Sequence, residues 1–276
     1  MITRRRFGAI FAVGILAASL CLAQTAELNT AQKEEFLLTA KVIKSKTLSE
    51  GTTASLRATL SDGQVTHDAS VQPIDEFKQV FTSALGTEFN FKDTYKANVA
   101  AYRLGKMLGL EKMIPPSVER RVLGNTSAVT WWADDVLMTE KQRFLTKKQP
   151  PNPDNWNRQM FIVRVFDQLI YNMDRNLGNL VIDKSWKVQM IDHTRAFRLH
   201  KKLKSPENLT RCDRKLFTAL QALDETGMQR ELSSVLTKGE INAVLARRDR
   251  MVALFKGKAA KNGDASVFYD YLSTLD

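Results

Sequence analysis

Asp174-Arg175-Asn176-Leu177-Gly178-Asn179 lies between a stretch of helical periodicity and a stretch of strand alternation that delivers Ile191-Asp192-His193. Upstream, between Asn155 and Met173, residues Ile162, Val165, Phe166, Leu169, Ile170 and Met173 recur at i, i+3, i+4, i+7, i+8 and i+11. That is one apolar face of a helix, and it predicts a buried helix ending at the Asp174 loop. Downstream, Leu180-Val181-Ile182 reads as a short strand and Asp183-Lys184-Ser185 as a turn. Trp186 to Ile191 then returns, with Trp186, Val188 and Met190 alternating. The turn falls near the midpoint between Asn179 and Asp192, so the two arms are nearly equal and both residues sit at the open end of a hairpin. Paired strands are about 5 Å apart, which lets both side chains reach one cation that binds oxygen at about 2.1 Å.

The order Asp, four residues, Asn, twelve residues, Asp is suited to phosphoryl transfer. Asn179 and Asp192 would hold Mg²⁺ or Mn²⁺. Asp174, on the helix-exit loop, would accept or orient the proton of an attacking hydroxyl. Asp and Asn are also ordinary turn residues, so spacing alone does not select this reading; its agreement with the helix and hairpin does.

These residues resemble the atypical kinases, a superfamily that includes the phosphatidylinositol kinases, the HipA-type bacterial kinases and the Golgi kinases of secreted proteins. Many of them carry Asp-Arg-His-x-x-Asn and, later, Ile-Asp-x-Gly. Here Asn176 replaces the His and Thr194 the Gly. The stretch Tyr95 to Leu104, then Leu108-Gly109-Leu110 and Ile114 to Arg120, is similar to the helix that braces the catalytic lysine and the strands leading to the hinge. The Gly-rich, His-Arg-Asp, Asp-Phe-Gly and Ala-Pro-Glu motifs of ordinary protein kinases are absent from the sequence.

The resemblance implies an α+β, two-lobed kinase-like fold with a small β-rich N-lobe and a larger helical C-lobe. It also implies ATP or another nucleotide bound with Mg²⁺ or Mn²⁺, and a hydroxyl-bearing acceptor. Where the bracing helix presents a Glu, this chain has Asn98, and the expected Lys aligns with Gln72, so amides replace both charges. Lys78, Lys92 and Lys96 are candidate substitutes for the missing cation. Gly51, within Glu50-Gly51-Thr52-Thr53, is the expected phosphate-facing turn, and Arg175 a structural or phosphate-facing partner of the loop. The alternatives are a pseudokinase acting as a binding or scaffolding module, and a nucleotidyl transferase that holds ATP in a flipped pose.

Four segments are expected: a signal peptide over 1–26, a linker or helix over 27–49 anchored by Leu37 and Leu38, an N-lobe over 50–150 and a C-lobe over 151–276. Hairpins are predicted across 55–72 and 117–136, the second placing Trp131-Trp132 near a nucleotide base, and a helix across 93–110. Asp154 is the expected cap of the following helix. Thr237-Lys238-Gly239-Glu240 is a capping box for the run 241–255, with 256–264 a loose basic segment.

Arg4-Arg5-Arg6 followed by an apolar run from Phe7 to Ala23 describes an export leader, and Thr3-Arg4-Arg5-Arg6-Phe7 resembles a twin-arginine signal. An uncleaved anchor is the alternative; with cleavage no stable membrane span is expected. The chain would then be periplasmic or extracellular. Losing the three arginines with the leader lowers the net charge from +11 to +8. That excess shows no aromatic-interleaved stripe, so nucleic acid is not expected. The densest basic stretch, Arg195 to Lys204, fits either an acidic or phosphorylated ligand or a solvated face. With Cys21 removed, Cys212 has no partner and is expected to be a buried apolar residue.

Overall fold

The structure, a computed structural model, describes residues 28–48, 55–83 and 86–275. The expected leader and the Gly51 turn lie outside the described residues.

Helix α1 (Thr30–Thr39) opens with a reciprocal cap between Asn29 and Gln32 and leads into strand β1 (Lys41–Thr47). The stretch read as a linker or helix is therefore a helix followed by a strand. Strands β2 (Leu56–Ser61) and β3 (Thr66–Gln72) form the expected hairpin. Strands β4 (Asp75–Ser83) and β5 (Gly86–Thr94) form a separate long hairpin that the sequence did not reveal. Helix α2 (Tyr95–Met107) follows, then β6 (Ser117–Val122) and β7 (Asn125–Trp131). Leu123 and Gly124, at φ 51° and 86°, make the two-residue connection whose left-handed backbone matches strand twist.

The antiparallel sheet runs β1-β2-β3-β7-β6. Strand alternation puts Ala58, Leu60, Ala69, Val71, Val129 and Trp131 on one face, where they pack with Phe36 and Leu37 of α1. Leu38, expected as a second anchor, points outward, and Phe36 takes its place. The opposite face meets α2, which belongs to the larger core. Gly109, at φ 71°, ends α2: the N–H of Leu110 reaches Gly105 O at 2.8 Å and that of Gly109 reaches Lys106 O at 3.1 Å, a paired helix stop.

The larger part of the fold begins with β8 (Val136–Thr139), α3 (Glu140–Thr146) and α4 (Pro153–Ile170). Asn152, not Asp154, caps α4: its side chain accepts from Asn155 N–H at 3.0 Å, leaving Asp154 in the first turn. Strands β9 (Leu180–Asp183) and β10 (Val188–Met190) pair with β8 in the order β10-β9-β8. Trp186 has φ 61° and stays outside the returning strand. Strand β11 (Cys212–Asp213), helices α5 (Arg214–Ala222), α6 (Glu225–Leu232), α7 (Lys238–Asn262) and α8 (Asp264–Val267), and β12 (Phe268–Tyr269) complete the chain. The box at Thr237 and Glu240 caps α7, which continues through residues expected to be loose. Cys212 is fully buried, and burial with Asp213 beside it pushes its thiol far up.

Leu37 and Leu38 separate burial from mere hydrophobicity. Leu37→Ala, at a fully buried position, is expected to cost about 3 kcal/mol in denaturant unfolding, whereas Leu38→Ala should stay within about 0.5 kcal/mol of the parent. Equal losses would contradict this packing of α1.

Candidate functional site

Helix α4 stops because Tyr171 takes a left-handed conformation at φ 51°, turning the chain outward. The Asn172 side chain then fixes the exit: its amide nitrogen donates to Asp167 Oδ1 at 3.0 Å, and its oxygen accepts the N–H of Asp174 at 3.0 Å. Asp174 emerges exposed, and its carboxylate has no hydrogen bond or ion pair among the described residues.

Arg175 points the other way. Its guanidinium grips Asp167 at 2.9 Å and donates to the carbonyls of Asn179 at 2.7 Å and Ile191 at 2.9 Å. Its charge and much of its donor capacity are spent inside the protein, on holding the loop to α4 and the hairpin. Asn176 caps the 3₁₀ turn Leu177–Asn179 by accepting the N–H of Gly178 at 2.8 Å.

Asn179 and Asp192 leave the hairpin side by side. The N–H of Ile191 donates to Asn179 O at 3.1 Å, and Arg175 binds both adjacent carbonyls. Asn179 Nδ2 donates to Asp174 O at 3.2 Å, which leaves Oδ1 as the unengaged acceptor. Asp192 sits at φ 52°, in the left-handed region that Asp and Asn enter more readily than other residues with a side chain, and accepts the Thr194 hydroxyl at 3.1 Å on one oxygen. An amide oxygen and a carboxylate are a hard donor pair suited to Mg²⁺ or Mn²⁺, with phosphate and water completing the shell. Among the described residues no cluster of three His, Cys, Asp or Glu side chains is placed to hold a metal without such help.

Gln72 and Asn98 meet. Asn98 Nδ2 donates to Gln72 Oε1 at 2.5 Å, and Asn98 Oδ1 accepts the backbone N–H of His193 at 2.6 Å. Both amides are buried. Asn98 thus needs a donor on one end and an acceptor on the other, which a Glu carboxylate could not provide. The relay joins β3, α2 and the segment after β10. Burial, with the Arg175 charge nearby, holds the His193 imidazole well below its ordinary value, so the ring is neutral.

Asp93 was not singled out as a site residue in the sequence. Asp93, at the end of β5, is buried; burial raises its carboxyl, the Thr194 hydroxyl opposes that, and the charge of Asp192 adds to it. An Asp before a helix reads as an ordinary cap residue, so only the fold shows it beside the Asp192 segment.

The substitute lysines are committed elsewhere: Lys78 to Glu76 at 2.9 Å, Lys96 to Asp75 at 3.0 Å, and Lys92 to Glu240. In the basic stretch, Arg195 and Arg198 bind Glu88 of β5, while Lys201, Lys202 and Lys204 remain exposed. Trp131 lies in the core on the α1 side, its ring stacked 3.6 Å from His67, and Trp132 is half-buried beneath the Arg57 guanidinium.

No protein-family model matches the chain, and no curated protein matches it in sequence. Its fold is nonetheless shared with solved structures. It is similar to the hydra Fam20 protein, solved with sugar, at 15% identity and a TM-score of 0.64, covering 89% of this chain and 93% of that one. It is also similar to the Helicobacter pylori proinflammatory kinase CtkA, at 9% identity and a TM-score of 0.51, covering 82% of this chain and 98% of that one. The β-rich N-terminal sheet and helical C-terminal part of this chain form the two-lobed, kinase-like fold of these proteins.

Proposed function

We propose that the protein binds ATP or another nucleotide with Mg²⁺ or Mn²⁺ between its lobes and transfers a phosphoryl group to a hydroxyl acceptor. The observation that carries this reading is the Arg175 clamp, which sets Asn179 and Asp192 side by side next to an unengaged Asp174. When bound, the metal would neutralise phosphate charge; Asn179 Oδ1 and Asp192 would hold it, and Asp174 would orient and deprotonate the acceptor. Exposed Lys201, Lys202 and Lys204 favour an acceptor that is acidic or already phosphorylated.

Thermal-shift titration with ATP and ADP, each with Mg²⁺, Mn²⁺ or chelator, tests this. Ligand at a hundredfold excess over Kd adds about 2.7 kcal/mol of apparent stability. Asp192→Ala is expected to abolish the metal-dependent shift, and Asp174→Ala to keep it while phosphoryl transfer falls by about two orders of magnitude or more. A full shift in Asp192→Ala would remove Asp192 as a ligand.

The Gln72–Asn98 amide pair favours a second reading, a pseudokinase that uses the cleft to bind or scaffold. Gln72→Lys with Asn98→Glu restores an ion pair, and Glu can still accept the His193 N–H. For a degenerate cleft, the double change is expected to strengthen ATP binding or awaken hydrolysis. For a cleft built around the amides, including one holding ATP in a flipped pose for nucleotidyl transfer, it should weaken an existing activity. Either single change should be worse than the double, because each leaves a buried charge unpaired. Additive effects in that mutant cycle would show that the pair does not act as a unit.

We also propose that the protein works outside the cytoplasm. Residues 1–30 fused to a reporter are expected to direct export, and Arg4→Lys with Arg5→Lys to block it if the route is twin-arginine. A reporter retained in the cytoplasm by the unaltered segment would reject export.

A further inference from the structure

Lysine-type neutralisation of a nucleotide's phosphates is missing at Gln72, and the candidate substitutes Lys78, Lys92 and Lys96 are paired with acids. Arg175 is turned inward and Arg195 binds Glu88. The charge must come from another element if the cleft binds a polyanion.

Strand register shows where. On β3, Asp68, Ser70 and Gln72 share one face, because Ala69 and Val71 are buried against the α1 side. Gln72 reaches α2 from that face, so the face looks toward the larger lobe. Arg57 lies opposite Ser70, and Lys46 opposite Arg57; Thr59 lies opposite Asp68, and Lys44 opposite Thr59. Three cations therefore occupy the same face of the sheet as Gln72. They line one cavity of about 320 Å³, together with Thr59 and Asp68. That volume falls within the range of small-ligand sites.

We infer that the phosphates of the bound nucleotide are taken by Lys44, Lys46 and Arg57, so that the neutralising charge has moved from β3 to β1 and β2. The inference rests on the nucleotide-binding reading above. Arg57 is held rigid: Asp68 accepts its Nε at 2.7 Å and Nη2 at 2.6 Å, and its guanidinium lies 4.4 Å from the centre of the Trp132 ring. Lys44 and Lys46 have no acid partner among the described residues. Three cations against one carboxylate leave the cavity with a net positive charge, and a ligand with several closely spaced negative oxygens complements it. Asp68 stays ionised: burial opposes this, but the bonds from Thr59 and Arg57 outweigh it and hold the carboxyl below its ordinary value. The hydrogen-bonding amides at Gln72 and Asn98 are then free to brace the lobes without carrying charge.

Calorimetric titration with ATP and Mn²⁺, and separately with adenosine, tests the assignment on four proteins: wild type, Lys44→Gln with Lys46→Gln, an equal-charge control of Lys256→Gln with Lys261→Gln on α7, and Asp192→Ala. All four lysines are exposed, so melting temperatures should match wild type. The Lys44/Lys46 pair is expected to lower ATP affinity about tenfold or more while leaving adenosine binding unchanged, and the control pair to bind as wild type does. Wild-type ATP affinity in the Lys44/Lys46 protein, or an equal loss in the control, would overturn the inference while leaving the nucleotide reading in place. Failure of wild type to bind ATP with metal would overturn both.

Discussion

The guanidinium of Arg175 donates to both oxygens of Asp167 and to the carbonyls of Asn179 and Ile191. One planar group thereby ties the last turn of α4 to both strands of the β9–β10 hairpin at the rung where Asn179 and Asp192 depart. A hairpin fixes the separation of its arms but not its position against a helix; the Arg175 fork supplies that second constraint. The bonds are mostly buried, so losing the guanidinium would leave the Asp167 carboxylate without its counter-charge and the Ile191 carbonyl without this donor.

Arg247 repeats the device deeper in the large lobe. Its side chain is fully buried on α7 and donates to the carbonyls of Leu169, Arg198 and His200, joining the end of α4 to the segment that follows Asp192. Burial lowers its pKa to about 10, which still leaves it charged at neutral pH. The β4–β5 hairpin clamps the same segment from the outside through Glu88 and its bonds to Arg195 and Arg198, and Lys92 carries the hairpin onto the N-terminus of α7. The segment after Asp192 is thus fixed on several sides. A basic run that looked free for a ligand is in its first half a structural fastener.

The relay from Gln72 through Asn98 to the His193 N–H is the polar joint between the sheet and the large lobe. Its members are neutral, so the joint can be buried without the desolvation cost an ion pair would carry. Neutral bracing and charged phosphate binding are separable tasks. Here the buried amides perform the first, and the sheet's cations stand a few residues away on the same face.

The helix before Asp174, the β2–β3 and β6–β7 hairpins and the Thr237 cap were legible because each pairs an apolar period with a local turn or cap signal. The β4–β5 hairpin was not: Phe77, Val80 and Phe89 are exposed on it, so its strands lack the clean alternation of a half-buried sheet. Asp174, Asn179 and Asp192 could be read from spacing, since loop and hairpin lengths are local quantities. The inward turn of Arg175, the capture of Arg195 and Arg198, the place of Asp93 and the gathering of Lys44, Lys46 and Arg57 could not, because each depends on partners brought together from distant parts of the chain. The sequence by itself determined the local elements and the order of the candidate chemistry. Only the tertiary structure decided which charges are spent on holding the fold and which remain for a ligand, because that division is set by which opposite charges and carbonyls the packing places within reach.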